Sequence, residues 1–89
     1  MPEYLWDDAK NEQLKRERGI SFEHVVYHIE HGGLLDDIQH PNQELHPGQR
    51  VYIVRIGDYV YEVPFFRYGG VESLRTIYPS RKFTRAYLG

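Results

Sequence analysis

Two strand-like runs, Arg50 to Ile56 and Tyr59 to Arg67, stand on either side of the dipeptide Gly57-Asp58. A two-residue break containing glycine, between runs rich in β-branched and aromatic residues, predicts a tight antiparallel hairpin. A hairpin alone is marginal in water and needs further strands or a helix layer to bury its face. The chain supplies both. Tyr68-Gly69-Gly70 predicts another turn into a last strand, in which Leu74, Thr76 and Tyr78 alternate with Arg75 and Ile77. Pro64 predicts an interruption or an edge position, because proline has no N–H to give to a ladder.

Ahead of the hairpin the spacing turns helical. Tyr4-Leu5-Trp6 predicts a short first strand. Asp7 or Asp8 caps a helix that runs through Arg18 and stops at Gly19. Ala9 and Leu14 are its only apolar residues, so it lies on the surface with one narrow face buried. A second helix starts at the cap Ser21, with Ile20 and Val25 as a hydrophobic staple. Phe22, Val25, Val26 and Ile29 follow the i, i+3, i+4, i+7 spacing and predict its core face. Gly32-Gly33 ends it. Leu34 to Ile38 extends briefly, and residues 39–49, with Pro41, Asn42, Pro47 and Gly48, form a loop. The predicted order is β-α-α-β-β-β with a short tail. Helices ahead of hairpin-linked strands mean an α+β fold, an antiparallel sheet with both helices on one face.

At 89 residues the chain makes a single domain, 1–89, with one modest core. It has no cysteine, hence no disulfide framework and no cysteine metal site. The first ten residues are acidic and lack the apolar run of a signal peptide, and no stretch has the length of a membrane span. A soluble cytoplasmic protein is expected. The net charge of −2 hides an asymmetry: residues 1–49 hold four Lys/Arg and ten Asp/Glu, residues 66–89 five Lys/Arg and one Glu. The acidic half repels nucleic acid. The basic half suits either an anionic polymer or an acidic protein partner.

Several residue groups carry possible chemistry. Arg75, Arg81, Lys82 and Arg85 lie on the last strand or just beyond it, where they suit a phosphodiester backbone or form a solvated basic tail. Arg50, Arg67 and Arg75 lie on neighbouring strands that bring them towards a common region of the sheet. Arginine forks there bind phosphate bidentately, or else they are ordinary strand charges. His40 and His46 in the long loop titrate near neutrality and suit general acid–base work. Glu62 either pairs with a strand arginine or acts as a base. His24, His28 and His31 share one helix face. That spacing can present two imidazoles to a metal, but no HExxH-type carboxylate motif accompanies it, and a solvated face is the simpler reading.

Trp6-Asp7-x-x-Lys10, Arg18-Gly19-Ile20-Ser21-Phe22-Glu23, Arg50, and Ile77 through Ser80-Arg81-Lys82-x-Thr84-Arg85 occur in that order. In order and spacing they resemble the BrnT toxin family over nearly the whole chain. Glu17-Arg18 stands where the family has Lys-His, the family's strand arginine falls at Thr76 with Arg75 one residue earlier, and Pro79 replaces a serine. The family's charged C-terminal helix is expected to be nearly absent. The resemblance implies a compact RelE-like ribonuclease, the toxin of a type II toxin–antitoxin system. It needs no metal or cofactor, takes RNA as substrate, and is held silent by a small ribbon-helix-helix antitoxin encoded by the adjacent gene. Under this reading Arg50 and Arg81 bind phosphate and stabilise the transition state, and Lys82 and Arg75 assist. His40, His46 or Tyr78 moves protons. The alternative is a non-catalytic binding module of the same fold, which docks a partner or takes part in repressing its own operon.

Overall fold

The computed structural model describes residues 2–89. Its elements are β1 (Glu3–Leu5), α1 (Asp8–Arg18), α2 (Phe22–His28), a π-helical segment (Ile29–Gly33), β2 (Leu34–Gln39), β3 (Arg50–Ile56), β4 (Tyr59–Tyr68), β5 (Val71–Leu74), β6 (Tyr78–Pro79) and α3 (Arg81–Leu88). The fold is α+β, three helices on a mixed six-stranded sheet. The strand order is β1-β5-β4-β3-β2, and β6 also pairs with β4.

The local signals operate as expected. Asp7 Oδ1 accepts the Ala9 N–H at 2.9 Å, and Ser21 Oγ accepts the His24 N–H at 3.1 Å. Ile20 and Val25 of the staple are both buried in the main core. Gly57-Asp58 closes the hairpin with Ile56 opposite Tyr59, and Gly57 takes φ 67°. That left-handed value at the first loop position is where such hairpins require glycine. Pro64 sits in β4 where its partner on one side changes from β6 to β5. The ladder is interrupted there, and the Pro64 carbonyl instead accepts the Arg75 N–H at 2.9 Å.

The sheet has two clothed sides. On one, Leu14 of α1 and Phe22 and Val25 of α2 pack on Tyr52, Val54, Val63, Phe65 and Leu74. Val26 and Ile29, predicted to face the core, are only partly buried at its margin. Buried Asn11 joins the helices: its Oδ1 accepts the Phe22 N–H at 2.8 Å and its Nδ2 donates to Glu23 at 2.7 Å. On the other side, Val51, Ile53 and Val60 are covered by Phe83 and Leu88 of α3, with Leu35 and Ile38 alongside.

Four expectations need correction. The sheet is not wholly antiparallel, because β1 runs parallel to β5, Tyr4 opposite Glu72. Three residues of alternation carry no directional information, and two helices and three strands separate the pair, so either direction was open to the chain. Leu34–Gln39 is a full strand, antiparallel to β3 with a register shift between Leu34 and Asp36. The predicted last strand is broken into β5 and β6, because Arg75, Thr76 and Ile77 leave the ladder where Ile77 turns into the core. The basic tail is a helix: Ser80 Oγ accepts the Phe83 N–H at 3.1 Å, and Phe83 and Leu88 supply its apolar face.

Gly33 is required by close approach. A Cβ at this position would lie 2.7 Å from the Arg55 carbonyl oxygen and 2.8 Å from that of His28.

Candidate functional site

Strand alternation sends the candidate residues to opposite sides of the sheet. Arg50 and Arg67 point to the α1/α2 side, beyond the helices' cover. Arg50 Nε donates to Asp37 Oδ1 and Arg67 Nη2 to Asp37 Oδ2, both at 2.8 Å. Arg67 Nε also donates to Glu72 at 3.1 Å, and its Nη2 lies 3.3 Å from the Tyr52 hydroxyl. Burial opposes ionisation of Asp37, but the hydrogen bonds and charges of Arg67 and Arg50 outweigh it, so its carboxyl is held below the ordinary value. Burial pushes the Tyr52 phenol well up. This is a closed ion network in which both arginine forks are already engaged. The predicted convergence of Arg50 and Arg67 is therefore observed, but on an acid of the chain itself. Arg75 does not join them: its guanidinium lies 5.7 Å from the Phe66 ring centroid, on the other side.

That other side gathers the acid–base candidates. The His40 and His46 rings lie 4.2 Å apart. His40 Nδ1 receives the Asn42 backbone N–H at 3.0 Å. A peptide N–H can only donate, so Nδ1 is the unprotonated nitrogen and Nε2 carries the proton. Desolvation, and then the neighbouring His46, lower the His40 pKa below its ordinary 6.5, while Glu62 pulls it the other way. Glu62 faces Tyr78 across the β4–β6 ladder. Burial raises the Tyr78 phenol, and the charge of Glu62 and a hydrogen bond to it raise it further. Glu62 thus serves no arginine; it faces Tyr78 across the ladder, and its charge is felt at His40. The loop that carries the histidines is tied down by Gln43, whose Nε2 donates to the His40 and Gln49 carbonyls at 2.8 and 3.0 Å.

Arg81 and Lys82 begin α3 on this side, exposed and with no acid in the first turn. Cations at a helix N-terminus oppose the dipole, so the pair concentrates positive charge that an anion would relieve. The helical histidines are occupied locally: His28 Nδ1 bonds the His24 carbonyl and His31 Nδ1 the Tyr27 carbonyl, at 2.9 and 2.6 Å. Among the described residues no three His, Cys, Asp or Glu side chains are grouped to hold a metal ion.

Sequence reasoning missed a cleft of about 390 Å³ between β1, the start of α1 and the end of β5, with Trp6, Lys10, Ser73 and Arg75 in its walls. It also missed Asp37 and Glu72 as the acids of the ion network. Only the register of β2 on β3, with Asp37 opposite Tyr52, puts Asp37 on the same side as Arg50. No signal along the chain paired Lys10 with Arg75. No helix among the described residues is long and apolar enough to cross a membrane.

No family model, curated protein or solved structure matches the chain.

Proposed function

We propose that the chain is a RelE-like endoribonuclease toxin of the BrnT type, cutting RNA without a metal and neutralised by an antitoxin. The observation that carries this reading is the convergence of His40, His46, Glu62 and Tyr78 on one side of the sheet, with Arg75 and the α3 cations on the same side. Cleavage by the substrate's own 2′-hydroxyl needs three things. A base takes that proton, cations stabilise the charge growing on phosphorus, and an acid protonates the departing 5′-oxygen. The products are a 2′,3′-cyclic phosphate and a 5′-hydroxyl.

The local chemistry orders the roles. Glu62 is the base, the one carboxylate in the group. His46 is the acid: it is exposed, and among the described residues its ring nitrogens have no hydrogen bond, so they are open to the departing oxygen. His40, with Nδ1 committed to Asn42, stays neutral and offers its Nε2–H as a hydrogen-bond donor. Tyr78 stays protonated and orients Glu62. Arg81 and Lys82 supply positive charge at the cut, and Arg75, held over Phe66, binds the RNA backbone beside it. Arg50, engaged by Asp37 on the far side, becomes a structural residue in this assignment.

A non-catalytic binding module is the second reading, favoured by the engagement of Arg50 and Arg67 within the chain. One experiment separates the two. Purified protein incubated with RNA and EDTA should yield fragments ending in cyclic phosphate, and expression alone should arrest bacterial growth unless the adjacent gene is co-expressed. Intact RNA and unimpaired growth with well-folded protein would leave the binding module standing.

A further inference from the structure

The cleft beside Trp6 lies outside the acid–base group. Its walls come from Leu5 and Trp6 at the end of β1, Asp7 and Lys10 at the start of α1, and Ser73 and Arg75 at the end of β5. A volume of about 390 Å³ falls in the range of small-ligand sites. The walls are preorganised. Trp6 is stacked on Phe22 with centroids 5.7 Å apart. Arg75 is fixed by its N–H to the Pro64 carbonyl and by the Phe66 ring under its guanidinium. Asp7 is committed to its cap, accepting the Ala9 N–H. Among the described residues neither Lys10 nor Arg75 has a carboxylate partner. Two cations from elements far apart in sequence thus line one cleft, beside an indole and a hydroxyl.

We propose that this cleft binds one nucleotide of an RNA strand, its phosphate between Lys10 and Arg75 and its base against Leu5 and Trp6. The identity of the ligand rests on the ribonuclease reading above. Lys10 and Arg75, less Asp7, leave the walls one net positive charge, which matches one phosphodiester, and no third cation is present for a di- or triphosphate. The surroundings favour a strand over a free nucleotide. Arg75 borders the cleft and also covers Phe66, which stacks with exposed Tyr68 at 6.2 Å. Cations along a path with aromatic rings beside them are what single-stranded RNA needs, one set for its backbone and the other for its bases. Phe66 and Glu62 lie on the same side of β4, four residues and so roughly 13 Å apart. A strand seated in the cleft and crossing Arg75 therefore reaches Glu62 within a few nucleotides. The cleft would hold the substrate in register for cutting.

Trp6 is the single tryptophan of the chain, so its emission reports on this cleft alone. The probe is a short 2′-O-methyl RNA carrying a fluorescent label, which has no hydroxyl to attack and so reports binding without cleavage. Trp6 emission and label anisotropy should saturate together. Lys10→Gln and Arg75→Gln should each weaken binding on the order of tenfold and lower the salt dependence by about one ion. Arg18→Gln, at the far end of α1, should do much less, and circular dichroism should be unchanged throughout. Anisotropy that rises while Trp6 stays silent overturns the cleft assignment and spares the ribonuclease reading. So do variants that bind like wild type. Silence from both probes, with unmodified RNA left uncut, overturns both. Binding that depends on Lys10 and Arg75, with unmodified RNA still uncut, upholds the cleft and removes only the catalysis.

Discussion

Arg67 on β4 reaches across β3 to Asp37 on β2, donating from Nη2 to Oδ2 at 2.8 Å. The same guanidinium holds Glu72 through Nε, so three strands are clamped by one side chain. Asp37 keeps its carboxyl below the ordinary carboxylate value of 3.8 in this setting. A depressed folded pKa contributes stability that is complete above the unfolded value and is lost as pH falls through the folded one. Asp37→Asn should therefore cost about 1–2 kcal/mol at neutral pH, a figure discounted for partial exposure. The variant should also show a shallower loss of stability below pH about 4 than wild type. Urea unfolding at pH 7 and at pH 3 measures both, and parallel pH profiles would refute the clamp.

The two arginines named from sequence should now behave differently. Arg81→Ala removes an exposed cation and should reduce RNA cleavage about tenfold to a thousandfold with little change in melting temperature. Arg50→Ala leaves Asp37 short of one partner, so it should lower stability and leave the turnover of the folded fraction near wild type. Cleavage rates corrected for folded fraction decide the matter. An inactive but fully stable Arg50→Ala would return that residue to the chemistry.

Glu62→Gln and His46→Asn should each lower the cleavage rate by about two to four orders of magnitude, the usual contribution of a positioned base or acid. Single-turnover kinetics on a labelled RNA would measure this. Full activity in both variants would sink the acid–base assignment.

The histidine cluster has a signature independent of catalysis. His40 should titrate below its ordinary 6.5, as followed by NMR of its ring carbons. Removing the carboxylate with Glu62→Gln should lower that value further, and removing the neighbouring cation with His46→Asn should raise it. Because the folded pKa is depressed, the unfolded chain binds more protons as pH drops through about 6.5. Loop 40–49 should lose its Asn42 N–H to His40 bond over the same range. A His40 that titrates at or above 6.5 would mean the rings do not sit as described.

Gly33→Ala should destabilise by roughly 1–3 kcal/mol, since a methyl has no room between two backbone carbonyls that cannot swing aside. Thermal melts check this, with Gly70→Ala as the comparison, since nothing lies within 4 Å of a Cβ there.

Local chemistry was legible in the sequence wherever the deciding contacts lie within a few residues. Asp7, Ser21 and Ser80 each take an N–H two or three residues ahead, and Gly57 closes a two-residue loop. The α1 and α2 helices and the β3–β4 hairpin therefore follow from neighbours along the chain. The α3 helix was legible in principle too, in the cap at Ser80 and the i, i+4 spacing of Phe83 and Tyr87, but the run of cations there reads equally well as a tail. Tertiary structure decided what depends on strands meeting at a distance. The parallel pairing of β1 with β5, the sharing of Asp37 by Arg50 and Arg67, and the meeting of Lys10 with Arg75 each join segments separated by other elements. Alternation along a strand assigns a residue to one of two faces, and it says nothing of which strand lies beside it or in which register. The sequence by itself therefore determined which residues can carry chemistry. The order and register of the sheet decided that Arg50 is held by Asp37, that Glu62 faces Tyr78, and that Lys10 and Arg75 line one cleft.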